Sequence, residues 1–289
     1  MRIQRTVTTW RSILYVPAHV KKYVEKACSS NVDAVQLDLE DGVPTDKKTV
    51  ARAALAEAVH ALRTHGKDVL VRINRPLSLA IPDIQAAVAC GVDALSLPKT
   101  ESADHIRLLE EVVEEEEQRS GDGPLTRLIA ICESARALGK INDISTASPR
   151  LIGLMLGSED FVSSCGAQPD DDVLQLPKQM IVIAARAANL IPFGYIGSVA
   201  NFNDTNAFRA MVRRSRRFGF QGATCIHPSQ IDVLNEEYGI TLEQIEYSLR
   251  VIAAYEDAVR QGHGAGTVDG SMIDRPHYER ACQVLKKAG

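Results

Sequence analysis

The sequence predicts an α/β fold, a (β/α)8 TIM barrel with a C-terminal helical lid or arm, and three features carry that prediction. Eight short apolar runs alternate with segments of helical composition up to residue 228. Their Ile-, Leu- and Val-rich interiors suit strands buried on both faces of a parallel sheet. The recurring phrases NVDAVQLDLE, GVDALSLPKT and GFQGATCIHP place a Gly or Asn near a helix end just before the next strand. Eight repeats of one β–α unit argue for a closed barrel over an open sheet. No GxGxxG follows the first run, as a dinucleotide-binding open sheet would have it.

In chain order, strands are expected at 11–17 (RSILYVP), 34–40 (AVQLDLE), 68–74 (DVLVRIN) and 94–100 (ALSLPKT). The second half supplies 128–134 (LIAICES), 151–157 (LIGLMLG), 193–199 (FGYIGSV) and 222–228 (GATCIHP). Between them, 21–28, 47–63, 82–89, 103–118, 135–144, 176–189 and 206–218 carry helical composition or period. Past the eighth strand, 242–261 reads as a helix with apolar positions at Ile245, Leu249, Ile252 and Tyr255. GHGAG breaks it, and VDGSMIDRPHYERACQVLKKAG follows. The break reads as a hinge and the tail as a lid or oligomer arm. The expected division is therefore a barrel over 1–238 and a helical extension over 239–289.

At 289 residues and 45% apolar content the chain can bury a large core. Its 33 basic and 37 acidic residues give a net charge of −4, which does not indicate a nucleic-acid surface. No apolar run approaches the roughly 18 residues of a membrane span. MRIQRTVTTW lacks the apolar core of a secretory signal. The six cysteines form no CxxC pair, and several lie in apolar runs as small core residues. A reducing cytoplasmic setting is the expectation.

The candidate chemistry centres on 128–161. There, two apolar runs each end abruptly on an acid, Glu133 after one and Glu159–Asp160 after the other. The segment between them is long enough for one crossover helix. Neighbouring parallel strands would then present Glu133 and Asp160 side by side at their carboxyl ends, where α/β sites form. Two close carboxylates must be protonated or share a cation, and Mg2+, or Mn2+ in its place, suits such a pair with water and substrate oxygens. Helix N-caps or loop acceptors are the plainer reading of the same acids.

Period two puts Gln36, Asp38 and Glu40 on one face of their strand, and Leu70, Arg72 and Asn74 on one face of theirs. Inward acids can hold metal-bound water or a substrate amine, or form a salt-bridge layer inside the barrel. Arg72 pointing inward needs acids or an anionic ligand. Lys99 ends the fourth strand, to bind an anion or to pair with an acid. A Schiff-base role is the weaker reading, because acid neighbours keep its ammonium protonated. His227 ends the eighth strand on the same rim, as a ligand or substrate-positioning group or as a rim hydrogen-bond partner. With no second His at ligand spacing, zinc is not expected. RRSRRF, 213–218, falls at the bottom of the barrel and reads as a solvated face, as does the acidic run 114–117.

RSILYVP, AVQLDLEDGV, VLVRIN, LSLPKTES, AICESARAL, GLMLGSEDF, GATCIHPSQI and DGSMIDRP together resemble the citrate lyase beta-subunit-like group of the HpcH/HpaI superfamily. The matches run in order from Arg11 to Pro276. The resemblance implies a homotrimeric or hexameric (β/α)8 enzyme that cleaves 3-hydroxyacyl-CoA thioesters of the citramalyl- or malyl-CoA type with Mg2+. The products would be acetyl-CoA and a 2-oxo acid. By motif, Glu133 and Asp160 would be metal ligands, Arg72 would polarise the thioester carbonyl, and Glu40 and Asp41 would support metal-bound waters. Asp274 of the SMIDRP phrase would transfer a proton at a neighbouring subunit's site. Three stretches depart from the family pattern: PAHVKKY, YIGSVANF and QPDDDVLQLPKQM. Three other functions compete: a citrate lyase beta subunit acting on a citryl acyl-carrier thioester, a metal-dependent aldolase on free 2-oxo acids, and a non-catalytic barrel with a binding role.

Overall fold

The structure, a computed structural model, describes residues 10–121, 123–197 and 204–288. The chain divides into two compact units, Met1–Tyr238 and Gly239–Gly289. In the first, strands β1 (Ser12–Pro17), β2 (Ala34–Asp38), β3 (Asp68–Arg72), β4 (Ala94–Leu97), β5 (Arg127–Cys132), β6 (Leu151–Leu156), β7 (Ile191–Pro192) and β8 (Ala223–Cys225) form one parallel sheet. Its order is β7-β6-β5-β4-β3-β2-β1-β8. A parallel bridge between Phe193 and Gly222 joins the two ends, supported by Gly194 N–H donating to the Gly222 carbonyl at 2.9 Å. The sheet thus closes into the expected (β/α)8 barrel.

The helices of this unit are α1 (Lys21–Cys28), α2 (Lys48–Ala53), α3 (Leu55–Thr64), α4 (Leu77–Ala89), α5 (Ala103–Ser120), α6 (Ala135–Leu138), α7 (Ile141–Ser145), α8 (Ser158–Cys165), α9 (Asp171–Ala187), α10 (Thr205–Phe218) and α11 (Ile231–Tyr238). Their apolar faces and the outward strand positions Val35, Leu37, Val69, Val71, Leu95, Leu97 and Leu128 form the main core. Inside the barrel, Trp10, Ile13, Ala34, Leu70, Ala94, Ile129 and Phe193 pack a separate apolar floor. Trp10 stacks on Phe193 with ring centroids 6.4 Å apart, and its indole N–H donates to Asp68 Oδ2 at 2.6 Å. Complete burial of Phe193 alone is worth about 3 kcal/mol by transfer from water. Gly153 is glycine for the same reason, since a side chain there would enter the Phe193 ring. Above the floor the lining turns polar, beginning with Ser96 Oγ donating to Gln36 Oε1 at 2.5 Å. The polar lining of the barrel therefore lies toward the carboxyl end of the strands.

Several boundaries differ from expectation. α4 and α9 begin well before Pro82 and Pro177, and each helix runs through its proline. Each forgoes one intrahelical bond, a cost that packing of the helix on the barrel offsets. The expected helix over 135–144 breaks at Gly139 into α6 and α7. The seventh strand is placed earlier than 193–199, and residues 198 and 199 lie outside the described residues. Glu117, expected at the surface, is buried. It accepts the Thr126 N–H at 2.7 Å and two Arg150 bonds at 3.0 Å. The basic cluster is likewise not simply solvated, because Arg213 bonds Glu237 on α11 at 2.8 Å.

In the second unit, α12 (Leu242–Arg260) starts on a capping box in which Thr241 and Gln244 exchange side chain-to-backbone bonds. Past the glycine-rich break the extension carries a hairpin as well as a helix. The antiparallel pair β9 (Gly266–Val268) and β10 (Ser271–Ile273) precedes α13 (Arg275–Ala288). Asp269 and Gly270 both take positive φ, 48° and 78°, as a two-residue hairpin turn requires. Val251, Val268, Ile273 and Ala281 give the unit its own core. At Gly266 a Cβ would stand 2.9 Å from the Ala254 carbonyl, so this glycine permits close strand–helix approach.

Candidate active site

Arg72 leaves β3 pointing into the barrel, as period two dictates. Its Nε and Nη2 donate to the two oxygens of Asp38 at 2.7 Å each. Asp38 also accepts backbone N–H bonds from Glu40 at 2.9 Å and Gly42 at 2.8 Å. Gly42 must lack a side chain, since a Cβ would lie 2.5 Å from Asp38 Oδ2. Burial pushes the Asp38 carboxyl up, but the hydrogen bonds and charge of Arg72 overcome this and hold it below the ordinary value. The other guanidinium nitrogen, Nη1, stands 2.9 Å from Glu40 Oε2, and the plane lies 4.9 Å over the Tyr15 ring. Arg72 is thereby fixed as a rigid, permanently charged fork.

Lys99 ends the β4 run at φ +48°, an uncommon conformation for a side chain-bearing residue. That turn aims its backbone N–H at Glu133 Oε2, 2.5 Å away, and its ammonium at Glu40 Oε1, also 2.5 Å. The ammonium further approaches Asp160 Oδ2 at 3.4 Å and Asp41 Oδ2 at 3.6 Å. Glu133 follows β5 and is 8% exposed, whereas Asp160 opens α8 with its side chain 48% exposed. Gly157 separates them, and a Cβ there would fall on the Glu133 carboxylate. The structure therefore gathers Glu40, Asp41, Arg72, Lys99, Glu133 and Asp160 into one constellation, with Lys99 as the cation shared by the acids.

This constellation fits a hard divalent cation. Burial, then Glu40 and Asp160, push the Glu133 carboxyl up to about 7, against the Lys99 backbone bond and charge. Glu40 Oε2, although beside Arg72, is buried and accepts no hydrogen bond. Surplus negative charge is what a metal ion and its bound water relieve. Among the described residues no group of three or more His, Cys, Asp and Glu ligands converges. Glu133 and Asp160 would be the protein ligands, leaving the other positions to water and substrate.

Asp41, Arg72, Glu133 and Asp160 of this constellation face a cavity of about 810 Å3, lined also by Tyr15, Lys178, Phe193, Tyr195 and His227. His227 stands on the β8 side, where its Nδ1 bonds the Ser229 hydroxyl at 2.8 Å. Asp274 belongs to the second unit, where its Oδ1 lies 2.6 Å from His277 Nδ1. Two features of the lining are not legible in the sequence, the pairing of Asp38 with Arg72 and the presence of Lys178. Asp38 showed in the QLDLE alternation but not as the partner of Arg72. Lys178 gave no signal, set among apolar residues of a helix.

The pattern that defines the HpcH/HpaI aldolase/citrate lyase family matches residues 11–228. The chain is 33% identical over 286 residues to citrate lyase subunit beta of Leuconostoc mesenteroides subsp. cremoris, covering 96% of this chain and 93% of that protein. It is 32% identical over 283 residues to (3S)-malyl-CoA thioesterase of Cereibacter sphaeroides (strain ATCC 17029 / ATH 2.4.9), covering 96% and 94%. In three dimensions it is similar to CitE of Mycobacterium tuberculosis in complex with magnesium, acetoacetate and coenzyme A. That match has a TM-score of 0.76 at 28% identity and covers 96% of this chain and 97% of the other.

Proposed function

The chain belongs to the HpcH/HpaI aldolase/citrate lyase family, and from that premise we propose that it cleaves a 3-hydroxyacyl-CoA thioester to acetyl-CoA and a 2-oxo acid. The observation that carries this reading is the placement of Arg72 and of the Glu133–Asp160 pair on one cavity. Mg2+, present in the structurally similar CitE complex, would be held by Glu133 and Asp160, with Glu40 and Asp41 receiving bonds from its water ligands. When bound it supplies Lewis-acid neutralisation of the oxo acid's oxygens.

The protein's own groups divide the rest of the work. Asp274, reaching the site of an adjacent subunit in a homotrimer or hexamer, takes the proton from the 3-hydroxyl. The C2–C3 bond breaks, the hydroxyl carbon becomes the carbonyl of the oxo acid, and the electron pair enters the thioester as an enolate. Arg72, already oriented by Asp38 and Tyr15, donates to the enolate oxygen and takes up its charge. Delivery to C2 of the proton that Asp274 took up completes acetyl-CoA and restores the carboxylate. A fixed charge aimed at developing negative charge is usually the largest catalytic contribution. Lys99 balances the acid cluster, and His227 lines the approach from the β8 side.

The test is to incubate the protein and Mg2+ with malyl-, citramalyl- and citryl-CoA and to identify the products. Acetyl-CoA plus a 2-oxo acid is the expected result, abolished by Glu133→Ala, by Asp160→Ala and by chelation. Full activity after exhaustive chelation would remove the metal. Free CoA with an intact hydroxy acid would instead mean thioester hydrolysis, the activity named for the malyl-CoA thioesterase relative. Similarity to citrate lyase subunit beta favours a second reading, in which an acyl-carrier protein holds the citryl group. Cleavage of the carrier-bound thioester alone would select it.

A further inference from the structure

Lys178 lies on α9 yet lines the cavity, together with Glu159, Tyr195 and Gly197, and its ammonium lies on the carbonyl of the last of these. The side chain is 3% exposed, so it is enclosed and not on the rim. It donates one hydrogen bond, to the Gly197 carbonyl. Among the described residues no carboxylate forms an ion pair with it, although Asp171 and Glu159 are near enough to favour its charge. An ammonium has three donors, so two remain for an acceptor inside the cavity. A buried, incompletely partnered cation is costly unless a ligand completes it.

Topology says which part of a ligand that would be. In the strand order β3 and β7 are four places apart, on opposite walls of an eight-stranded barrel. Arg72 projects from β3, and Lys178 meets the chain that follows β7. Glu133 and Asp160, which follow β5 and β6, fall between the two cations in the strand order. We propose that Lys178 binds the distal carboxylate of a dicarboxylic 2-oxo acid, making it the residue that selects an oxaloacetate-type over a pyruvate-type product. This rests on the reading above that the oxo acid is held at Glu133 and Asp160 while the thioester carbonyl meets Arg72. The enclosed position disfavours the phosphates of CoA, which need a solvent-facing cation. Burial lowers the Lys178 amine to about 8, which leaves it mostly charged at neutral pH and ready for an anion.

The test is calorimetric binding of oxaloacetate, its 4-methyl ester and pyruvate to the whole protein saturated with Mg2+. Wild type is expected to bind oxaloacetate about tenfold or more tighter than either analogue, the range for a bond between charged groups. In Lys178→Met that preference should vanish while pyruvate affinity is unchanged. Equal wild-type affinity for oxaloacetate and its ester would overturn the assignment without any variant. A preference that survives Lys178→Met would overturn it as well. If pyruvate and oxaloacetate both fail to bind in the presence of Mg2+, the metal-held oxo acid itself is wrong, and the role of Lys178 falls with it.

Discussion

Arg72 separates a catalytic from a structural account most directly. Its Nε–Nη2 edge engages both oxygens of Asp38 while Nη1 faces Glu40, a geometry that only a planar fork supplies. Arg72→Lys keeps the charge, so neither carboxylate is left without a cation and the chain should still fold. Turnover should drop by about 10² to 10³, the cost of losing one preorganised charge-stabilising donor. Near wild-type turnover would leave Arg72 as an ion-pair partner and nothing more. Gly157 makes an independent prediction. Its backbone suits alanine, with φ −81° and ψ 98°, yet a methyl group would displace the Glu133 carboxylate. Gly157→Ala should retain its circular dichroism but lose Mg2+ affinity by about an order of magnitude or more, equivalent to about 1.4 kcal/mol. Unchanged Mg2+ affinity, read by titration calorimetry, would show that Glu133 is not a ligand. Alternation along QLDLE and VLVRIN made Asp38, Glu40 and Arg72 legible as inward groups. The sterics of Gly157 and the reach of Lys178 were not, because both depend on contacts between elements distant in sequence.

Helices and strands make the same point at the next scale. Strands were readable because burial on both faces imposes an apolar run, and turn residues end it. The sequence places helix starts at Pro82 and Leu176 because proline disfavours helix interiors locally, whereas tertiary packing carries α4 and α9 through Pro82 and Pro177. Glu117 was misread because its partner, Arg150, lies on the far side of β5 in sequence. α5 carries a similar hidden burden. Ser102 caps it by accepting the His105 N–H at 3.2 Å, and the His105 ring is buried with neither nitrogen hydrogen-bonded. Burial first, then the charge of Arg75, lower its pKa to about 4 from an ordinary 6.5. The folded protein therefore resists protonation that the unfolded chain accepts. Stability from this group is complete above about pH 6.5 and is lost as pH falls toward about 4, by up to about 3 kcal/mol. Denaturant unfolding of wild type and His105→Leu at about pH 7 and about pH 4.5 measures it. The wild type should lose more stability than the variant on acidification, and equal losses would assign the acid sensitivity elsewhere.

At the scale of the whole molecule, the barrel supplies a charged, positioned site but a base is still needed. Asp274 is the acid proposed for the task, and its bond to His277 holds the carboxyl below its ordinary pKa. It lies in a unit with its own core of Val251, Val268, Ile273 and Ala281, so Asp274→Ala should leave both units folded. An acid on a separate compact unit can serve either its own barrel or a neighbour's, and the two arrangements differ in one measurable respect. Asp274→Ala and Glu133→Ala chains are each expected to be inactive. If Asp274 works across a subunit boundary, a mixed oligomer contains some sites with an intact Glu133 from one chain and an intact Asp274 from the other. Activity should then reappear on mixing. If Asp274 serves its own barrel, every site in the mixture lacks one group, and the mixture stays as inactive as its parents. Subunits must first be exchanged by mild dissociation and mixed oligomers verified by mass. Absence of recovery in verified mixed oligomers would end the shared-site arrangement while leaving the metal centre and Arg72 untouched, because neither depends on which chain delivers the base.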